Sequence, residues 1–182
     1  EMFSAQADLA SLEATLKHLG RLLGDEAQAA HLFKDYQQQL QTHQQQVTRI
    51  KALHEAPGVL LLLGNAGGKP LIAGKDTAAD WLLTQAGGHN LATHKGYKPF
   101  SVEALAGLNP QVLVFADRSL TGEQARKALM KENPILASLK AAKEGRIYEL
   151  DPTLLVGGLG PRLPGSLKQL TGEFYPKAPA NP

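Results

Sequence analysis

The chain has 182 residues, 43% of them hydrophobic, and 19 Lys and Arg against 17 Asp and Glu give a net charge of +2. This size supports one globular core, and the interspersed charges argue against nucleic-acid binding, which needs a concentrated basic face. The absence of cysteine excludes disulfides, thiolate metal sites and cysteine nucleophiles.

Two helices are predicted at the start of the chain. Leucines recur at spacings of three and four over residues 9–23, which is typical of an amphipathic helix that is interrupted at Gly20 or ends by Gly24. Asp25 can cap a second helix, since neither Gly nor Pro occurs over residues 25–55. A narrow seam follows one side of this second helix: Phe33, Tyr36, Leu40, His43, Val47, Ile50 and His54. By itself this seam fits a coiled-coil-like dimer arm.

After Pro57-Gly58, predicted strands alternate with predicted helices. The strands are expected at 59–63, 71–73, 112–115 and 146–150, and the helices at 77–86, 102–108, 121–131, 134–142 and from Pro161 to 171. Thr121 and Gln124 are expected to form a capping box at the start of their helix. This alternation predicts an α/β fold with a mainly parallel sheet flanked by helices.

Three short motifs are candidates for a ligand site. Gly64-Asn-Ala-Gly-Gly-Lys-Pro70 follows a strand and allows close backbone approach, although the spacing alone favours a tight turn and the Walker spacing is lacking. Gly96-Tyr-Lys-Pro99 combines an aromatic face, a cation and a rigid turn, which suits a flat ligand with carboxylates or an ordinary surface turn. Gly160-Pro-Arg162 places an arginine near a helix start, where a surface ion pair is the simpler explanation.

Metal and catalytic sites are not expected. The six histidines include no His-x-His or His-x3-His pair, which argues against a structural metal site. The sequence has no Gly-x-Ser-x-Gly elbow and no recognisable base beside a nucleophile, so an enzyme is not expected. An α/β enzyme with a nucleotide at the carboxyl edge of the sheet remains an alternative.

The order of the motifs is more informative than any one of them. Gly74-Lys-Asp-Thr, Gly87-Gly-His-Asn90, Gly96-Tyr-Lys-Pro99, Asn109-Pro110 and Gly160-Pro-Arg162 follow one another along the chain. This order resembles the C-terminal lobe of a bacterial periplasmic substrate-binding protein for haem, in the helical-backbone class (class III) that also serves siderophores and corrinoids.

The resemblance implies three segments. Residues 1–56 would comprise the end of a preceding segment (1–24) and a long connecting helix (25–56) that acts as a rigid spine. Residues 57–176 would form a Rossmann-like ligand-binding lobe, and residues 177–182 a loose tail. The N-terminal lobe of the family would then be absent from this sequence.

The resemblance also implies a function, namely capture of haem in the periplasm and delivery to the membrane permease of an ABC importer. The implied ligand-binding residues are Asn65, Ala66, Gly67, Tyr97, Lys98 and Arg162. Tyr97 would stack on the porphyrin, Lys98 would pair with a propionate, and Arg162 would meet a propionate or the oxygen of an iron-bound tyrosine. Asn65 stands where some haem-binding relatives have a histidine, so the principal iron ligand would belong to the other lobe. Glu103 would form a salt bridge with an arginine of the permease.

The same resemblance leads to expectations for the behaviour of this chain. The loops at 64–70, 96–99 and 160–162 should converge on a single rim of the sheet. With one wall of the cleft, haem binding should be weak or absent, since a ligand site must bury most of its ligand. The apolar surface facing the missing lobe should promote self-association. Ferric siderophores and corrinoids remain alternative ligands for the same fold.

Overall fold

Two antiparallel helices form the first part of the chain. The computed structural model describes residues 5–64, 70–99, 105, 107–117, 121–156 and 160–177, with side chains from residue 9 onward. Helix α1 spans Ala5–Leu23 and helix α2 spans Glu26–Leu53. Of the two predicted alternatives, the end by Gly24 is confirmed and the interruption at Gly20 is wrong. Gly20 is where α2 crosses closely, since a Cβ there would lie 2.8 Å from the Cβ of Ala29.

The N-cap of α2 is the predicted one, because the Asp25 carboxylate accepts a hydrogen bond from the backbone N–H of Gln28 at 3.1 Å. The seam of α2 packs within the chain, where Leu40 and Ile50 contact the core that includes the last helix, and its buried members include Tyr36, His43, Val47 and Ile50. This packing uses the surface that a dimer arm would need. No helix in the described ranges is both long and apolar enough to cross a membrane.

A mixed sheet lies at the centre of the remaining chain. Its strands are β1 (Gly58–Leu63), β2 (Leu71–Ala73), β3 (His89–Asn90), β4 (Tyr97–Pro99), β5 (Val112–Ala116) and β6 (Ile147–Glu149). The order is β4-β2-β1-β5-β6, with β3 paired to the start of β1. β1, β5 and β6 are parallel, whereas β2 is antiparallel to both β1 and β4. The predicted α/β sheet is confirmed, with β2 as its antiparallel member.

Strand β1 is buried on both faces of the sheet. Val59 and Leu61 belong to the core on one side, called here the first face, which is covered by α2 and by the helices Ala78–Gln85 and Leu163–Phe174. Leu60 and Leu62 belong to the core on the second face, which is covered by Leu105, the helix Gly122–Glu132 and the turns that follow it. The continuous apolar run predicted this double burial.

The helices depart from prediction mainly at their ends. They are α3 (Ala78–Gln85), α4 (Gly122–Glu132), α5 (Lys140–Lys143) and α6 (Leu163–Phe174), with 3-10 turns at Pro134–Ser138 and Pro152–Leu155. The helix predicted over 134–142 is therefore split into a 3-10 turn and α5. The last helix begins at Leu163, with Pro164 in its first turn, and not at Pro161.

The predicted capping box of α4 does not form. Thr121 is the N-cap residue, but its side chain makes no capping hydrogen bond. The backbone N–H of Gly122 is instead bonded by the Glu149 carboxylate, 2.6 Å away at the end of β6. A backbone N–H at the start of the helix is thus bonded to a residue of a neighbouring strand. The negative charge of that carboxylate also stabilises the positive end of the helix dipole.

A buried amide holds together the segment that follows β2. The Asn90 side chain is 2% exposed and donates to the carbonyl of Ala73 at 3.2 Å and to the carboxylate of Asp80 at 2.9 Å. Its carbonyl oxygen accepts from the N–H of Ala92 at 3.0 Å, and Lys75 also reaches Asp80 at 3.3 Å. The motif from Gly74 to Asn90 is therefore a structural unit that joins β2, α3 and β3.

Replacing Asn90 with Ala should lower the free energy of unfolding by about 3 kcal/mol, because it leaves two or more buried polar groups without partners. Urea denaturation of the chain measures this loss. The matched control is His89→Ala, at the exposed neighbour in the same strand, which should change stability by less than about 0.5 kcal/mol. Equal losses in the two variants would contradict the structural role of the amide.

Candidate functional site

The carboxyl ends of the parallel strands define one edge of the sheet, called here the carboxyl edge. Leu63 of β1 pairs in register with Ala116 of β5 and with Leu71 of β2, and Leu71 pairs with Pro99 of β4. The segments that come after β1, β5 and β6 therefore all leave the sheet at this edge. In open α/β sheets this is the edge at which ligands bind.

Four of the predicted functional residues, namely Asn65, Ala66, Gly67 and Glu103, lie outside the described residues. The residue that precedes the first three is described. The N–H of Gly64 donates to the carbonyl of Ala116 at 2.7 Å, and a Cβ at Gly64 would collide with the carboxylate of Asp117. Glycine is required here because the segment after β1 starts in contact with the end of β5.

Tyr97 and Lys98 lie in an edge strand, whereas the sequence suggested a turn. Tyr97 pairs with Ala73, a member of the first-face core, and Lys98 pairs with Ile72, a member of the second-face core. Because paired residues share a face, the two side chains lie on opposite faces of the sheet. Both are exposed, Tyr97 by 37%. The structure does not bring them together on one face.

Arg162 lies just before α6, where two side chains hold its guanidinium. Nη1 donates to Asp151 Oδ2 at 2.6 Å, and Nη2 donates to Thr153 Oγ1 at 2.7 Å. Asp151 comes directly after β6, since the N–H of Leu150 still bonds to Phe115 of β5. Hydrogen bonds from Thr153 and the nearby Arg162 hold the pKa of Asp151 below its usual value. Arg162 is thus attached to the carboxyl edge through an ion pair.

The predicted residues therefore occupy opposite flanks of one edge. Tyr97 and Lys98 are in β4 and Arg162 is attached to the end of β6, the two outermost strands in the order β4-β2-β1-β5-β6. Four inter-strand steps of about 4.8 Å separate these strands by about 19 Å. A ligand in contact with both flanks must span the width of the sheet.

A cleft of about 560 Å³ opens at the opposite edge, where the parallel strands begin. Its lining includes Pro57, Gln111 and Arg146, but none of the predicted ligand residues. The Arg146 guanidinium donates to the carbonyl of Phe174 at 2.9 Å and thereby holds the end of α6. The cleft and the predicted site are therefore different places in the molecule.

Two of the histidines bond to backbone carbonyls within the fold. His94 Nε2 is 3.2 Å from the carbonyl of Ile72, and His43 Nε2 is 3.1 Å from the carbonyl of Gln85. His43 is 5% exposed, and burial lowers its pKa although the bond to Gln85 opposes the shift. Among the described residues no three His, Asp or Glu side chains are grouped as metal ligands.

Sequence reasoning did not identify Asp151, Thr153 and Tyr36 as residues of this region. Tyr36 on α2 donates its hydroxyl to the carbonyl of Gly160 at 3.2 Å, and burial raises the pKa of Tyr36 to about 12. The Asp-Pro-Thr spacing indicates a capped 3-10 turn, which the structure contains at Pro152–Leu155. No sequence signal links that turn to an arginine eleven residues later.

The chain belongs to the periplasmic binding protein family, whose model matches residues 2–154. A periplasmic haem-binding protein from Pseudomonas aeruginosa is similar in structure, with 54% identity and a TM-score of 0.84 over 94% of this chain and 62% of that one. The apo form of the haem-binding protein RhuT from Roseiflexus sp. RS-1 has 28% identity and a TM-score of 0.75, with coverage of 93% and 64%.

A third structure, the haem-binding protein HutB of Vibrio cholerae, has 27% identity and a TM-score of 0.70, with coverage of 92% and 64%. The search of curated proteins gave no match. The chain spans less than two thirds of the length of each of these three structures. The resemblance inferred from motif order is confirmed at the level of family and fold.

The buried histidine generates a prediction for stability against pH. Because the folded-state pKa of His43 lies below its ordinary value of 6.5, the unfolded chain binds a proton that the folded chain excludes. The free energy of unfolding should therefore decline as pH falls below about 6.5, and level off below the folded-state pKa. Urea denaturation at a series of pH values measures this.

His43→Gln should flatten this dependence, because glutamine can donate to the same carbonyl but does not titrate. The difference between the two proteins removes the pH dependence that other groups contribute to both. One such group is Glu173, because its burial raises its pKa. Identical slopes for the two proteins between neutral and mildly acidic pH would contradict the assignment.

Proposed function

We propose that this chain is the ligand-binding C-terminal lobe, with its connecting helices, of a periplasmic protein that captures haem for an ABC importer. The observation that supports this most strongly is the 54% identity and 0.84 TM-score to a periplasmic haem-binding protein. Identity at that level over 94% of the chain favours a shared ligand class as well as a shared fold. The role is binding and delivery, without catalysis.

The breadth of the carboxyl edge fits a large planar ligand. An aromatic ring and a cation lie on one flank, at Tyr97 and Lys98 of β4, and a second cation, Arg162, is attached to the end of β6, the strand about 19 Å from β4 by strand spacing. A porphyrin with two propionates offers a ring for stacking and carboxylates for pairing with lysine or arginine. Asn65, Ala66 and Gly67, which follow the central strand in the sequence, are proposed as further contacts of the ligand.

The proposal includes a second wall for the cleft. A preceding lobe in a longer protein would close over the carboxyl edge and supply the principal iron ligand, because a carboxamide at Asn65 is a poor iron ligand and His43 and His94 are bonded to backbone carbonyls. Glu103 would dock the loaded protein on the membrane permease. The protein would work in the periplasm, as the family description indicates.

Hemin titration tests the proposal. We expect the two-lobe protein to bind hemin stoichiometrically, with a sharp change in Soret absorbance, and the chain of 182 residues to bind it weakly or not at all, since half the burial is missing. In the two-lobe protein, Arg162→Ala should weaken binding by about tenfold, which corresponds to loss of one charge-assisted contact.

The matched control is Lys143→Ala, which removes an exposed cation on α5, far from the carboxyl edge, and should leave the affinity unchanged. Competition with cobalamin and ferric siderophores distinguishes the alternative ligands. Tight, stoichiometric hemin binding by the single lobe would contradict the two-walled cleft. Tighter binding of a competitor than of hemin would show that the competitor, and not haem, is the ligand.

An exposed apolar surface lies at the far end of the α1–α2 hairpin. It consists of four leucines with 45% to 80% exposure: Leu19, Leu22, Leu23 and Leu32. Such a cluster is unusual for a surface that faces water, and we propose that the preceding lobe covers it in the longer protein. In its absence the same leucines would bring chains together.

The chain of 182 residues should therefore self-associate as its concentration rises, and the double substitution Leu22→Lys with Leu23→Lys should keep it monomeric, because it introduces two charges into the cluster. Multi-angle light scattering across a concentration series measures this. Leu53→Lys, at an isolated exposed leucine on the end of α2, is the control and should not change the association. A monomeric wild-type chain at high concentration would contradict the prediction.

A further inference from the structure

We infer that Asp151, Thr153 and Tyr36 are positioning residues that hold Arg162 in place for a carboxylate of the ligand. This inference rests on the proposed function, since it concerns how the same site presents its cation. None of the three side chains is proposed to touch the ligand. Their effect is on where the guanidinium lies and how freely it moves.

The guanidinium is held at two of its five N–H groups. Nη1 donates to Asp151 and Nη2 to Thr153, at 2.6 Å and 2.7 Å, so two different nitrogens are fixed and the plane of the group is defined. Three further N–H groups are not engaged by Asp151 or Thr153, and these suffice for a bidentate contact with a carboxylate.

The two holding side chains are themselves fixed. Thr153 donates its hydroxyl to Asp151 Oδ1 at 2.6 Å, and the N–H of Thr153 donates to the same oxygen at 2.9 Å. The Thr153 hydroxyl thus donates to the aspartate and accepts from the arginine, so the three side chains form a closed network of hydrogen bonds. These bonds keep Asp151 ionised, because they lower its pKa.

A further contact fixes the backbone on the N-terminal side of the arginine. Tyr36 on α2 donates to the carbonyl of Gly160, two residues before Arg162. Leu163 and Leu167 of α6 are buried in the first-face core, so the backbone on the C-terminal side is fixed as well. Both ends of this short segment are therefore anchored to the body of the molecule.

This arrangement matters because Arg162 is exposed. Its side chain has 65% of its surface accessible, and an exposed arginine otherwise samples many rotamers. Ordering such a side chain at the moment of binding costs affinity, and holding it beforehand removes that cost. An exposed pair contributes little to folding stability, so the network's main effect is on the geometry of the site.

The first test needs no haem. Nitrogen-15 relaxation of the arginine Nε in the wild-type chain should report an ordered Arg162. Asp151→Asn and Thr153→Val should each make it flexible, with an order parameter below about 0.6. Thr153→Ser should restore the order, because it returns the hydroxyl. Equal mobility of Arg162 in wild type and variants would overturn the inference.

The second test is hemin affinity in the two-lobe protein. Asp151→Asn, Thr153→Val and Tyr36→Phe should each raise the dissociation constant by about threefold to tenfold, without lowering the melting temperature of the unliganded protein as a core defect would. In an Arg162→Ala background the same substitutions should have no further effect, since positioning residues act through the arginine.

Matched controls exist for two of the variants. Tyr175→Phe removes a buried hydroxyl that donates to the carbonyl of Gly87 at the opposite edge, and Thr48→Val removes a hydroxyl bonded within α2. Both should leave hemin affinity unchanged. Tighter hemin binding by Asp151→Asn would mean that the aspartate competes with the ligand for Arg162, and would overturn the inference. Failure of the two-lobe wild type to bind hemin would refute the proposed function, whereas the relaxation test would still decide the positioning.

Discussion

The structure depends on the burial of β1 between two cores. Leu61 and Val59 contribute to the first face and Leu60 and Leu62 to the second, and all four are fully buried. At the same time β1 pairs with β5 on one side and with β2 and β3 on the other. The other strands therefore pair with β1 directly or through a neighbouring strand, and the helices on both faces pack against its side chains.

The groups at the carboxyl edge belong to the segments that leave the parallel strands there. The segment after β1 begins at Gly64, in contact with Asp117, and the segment after β6 holds Arg162 through Asp151. Tyr36 then donates to the carbonyl of Gly160, which lies two residues before the arginine, and so connects α2 to the backbone beside it. The cation proposed to meet the ligand is thus held both through Asp151 and through the backbone next to it.

The polar network around Asn90 gives the stretch from Gly74 to Asn90 a structural role. This stretch is one of the ordered motifs on which the resemblance rests, and its polar side chains bond to one another and to the backbone. A buried amide with these bonds specifies one arrangement of β2, α3 and β3. The motif therefore has a structural role, and the residues proposed to bind the ligand lie elsewhere in the chain.

The sequence by itself determined most of the helices, the buried strands and the family, because these depend on local periodicity, on caps such as Asp25 and on the order of motifs. Tertiary structure alone decided that Tyr97 and Lys98 form an edge strand on opposite faces, and that Glu149 replaces the expected capping box of α4. It also decided the partners of Arg162. These features depend on contacts between residues distant in sequence, which local patterns do not encode.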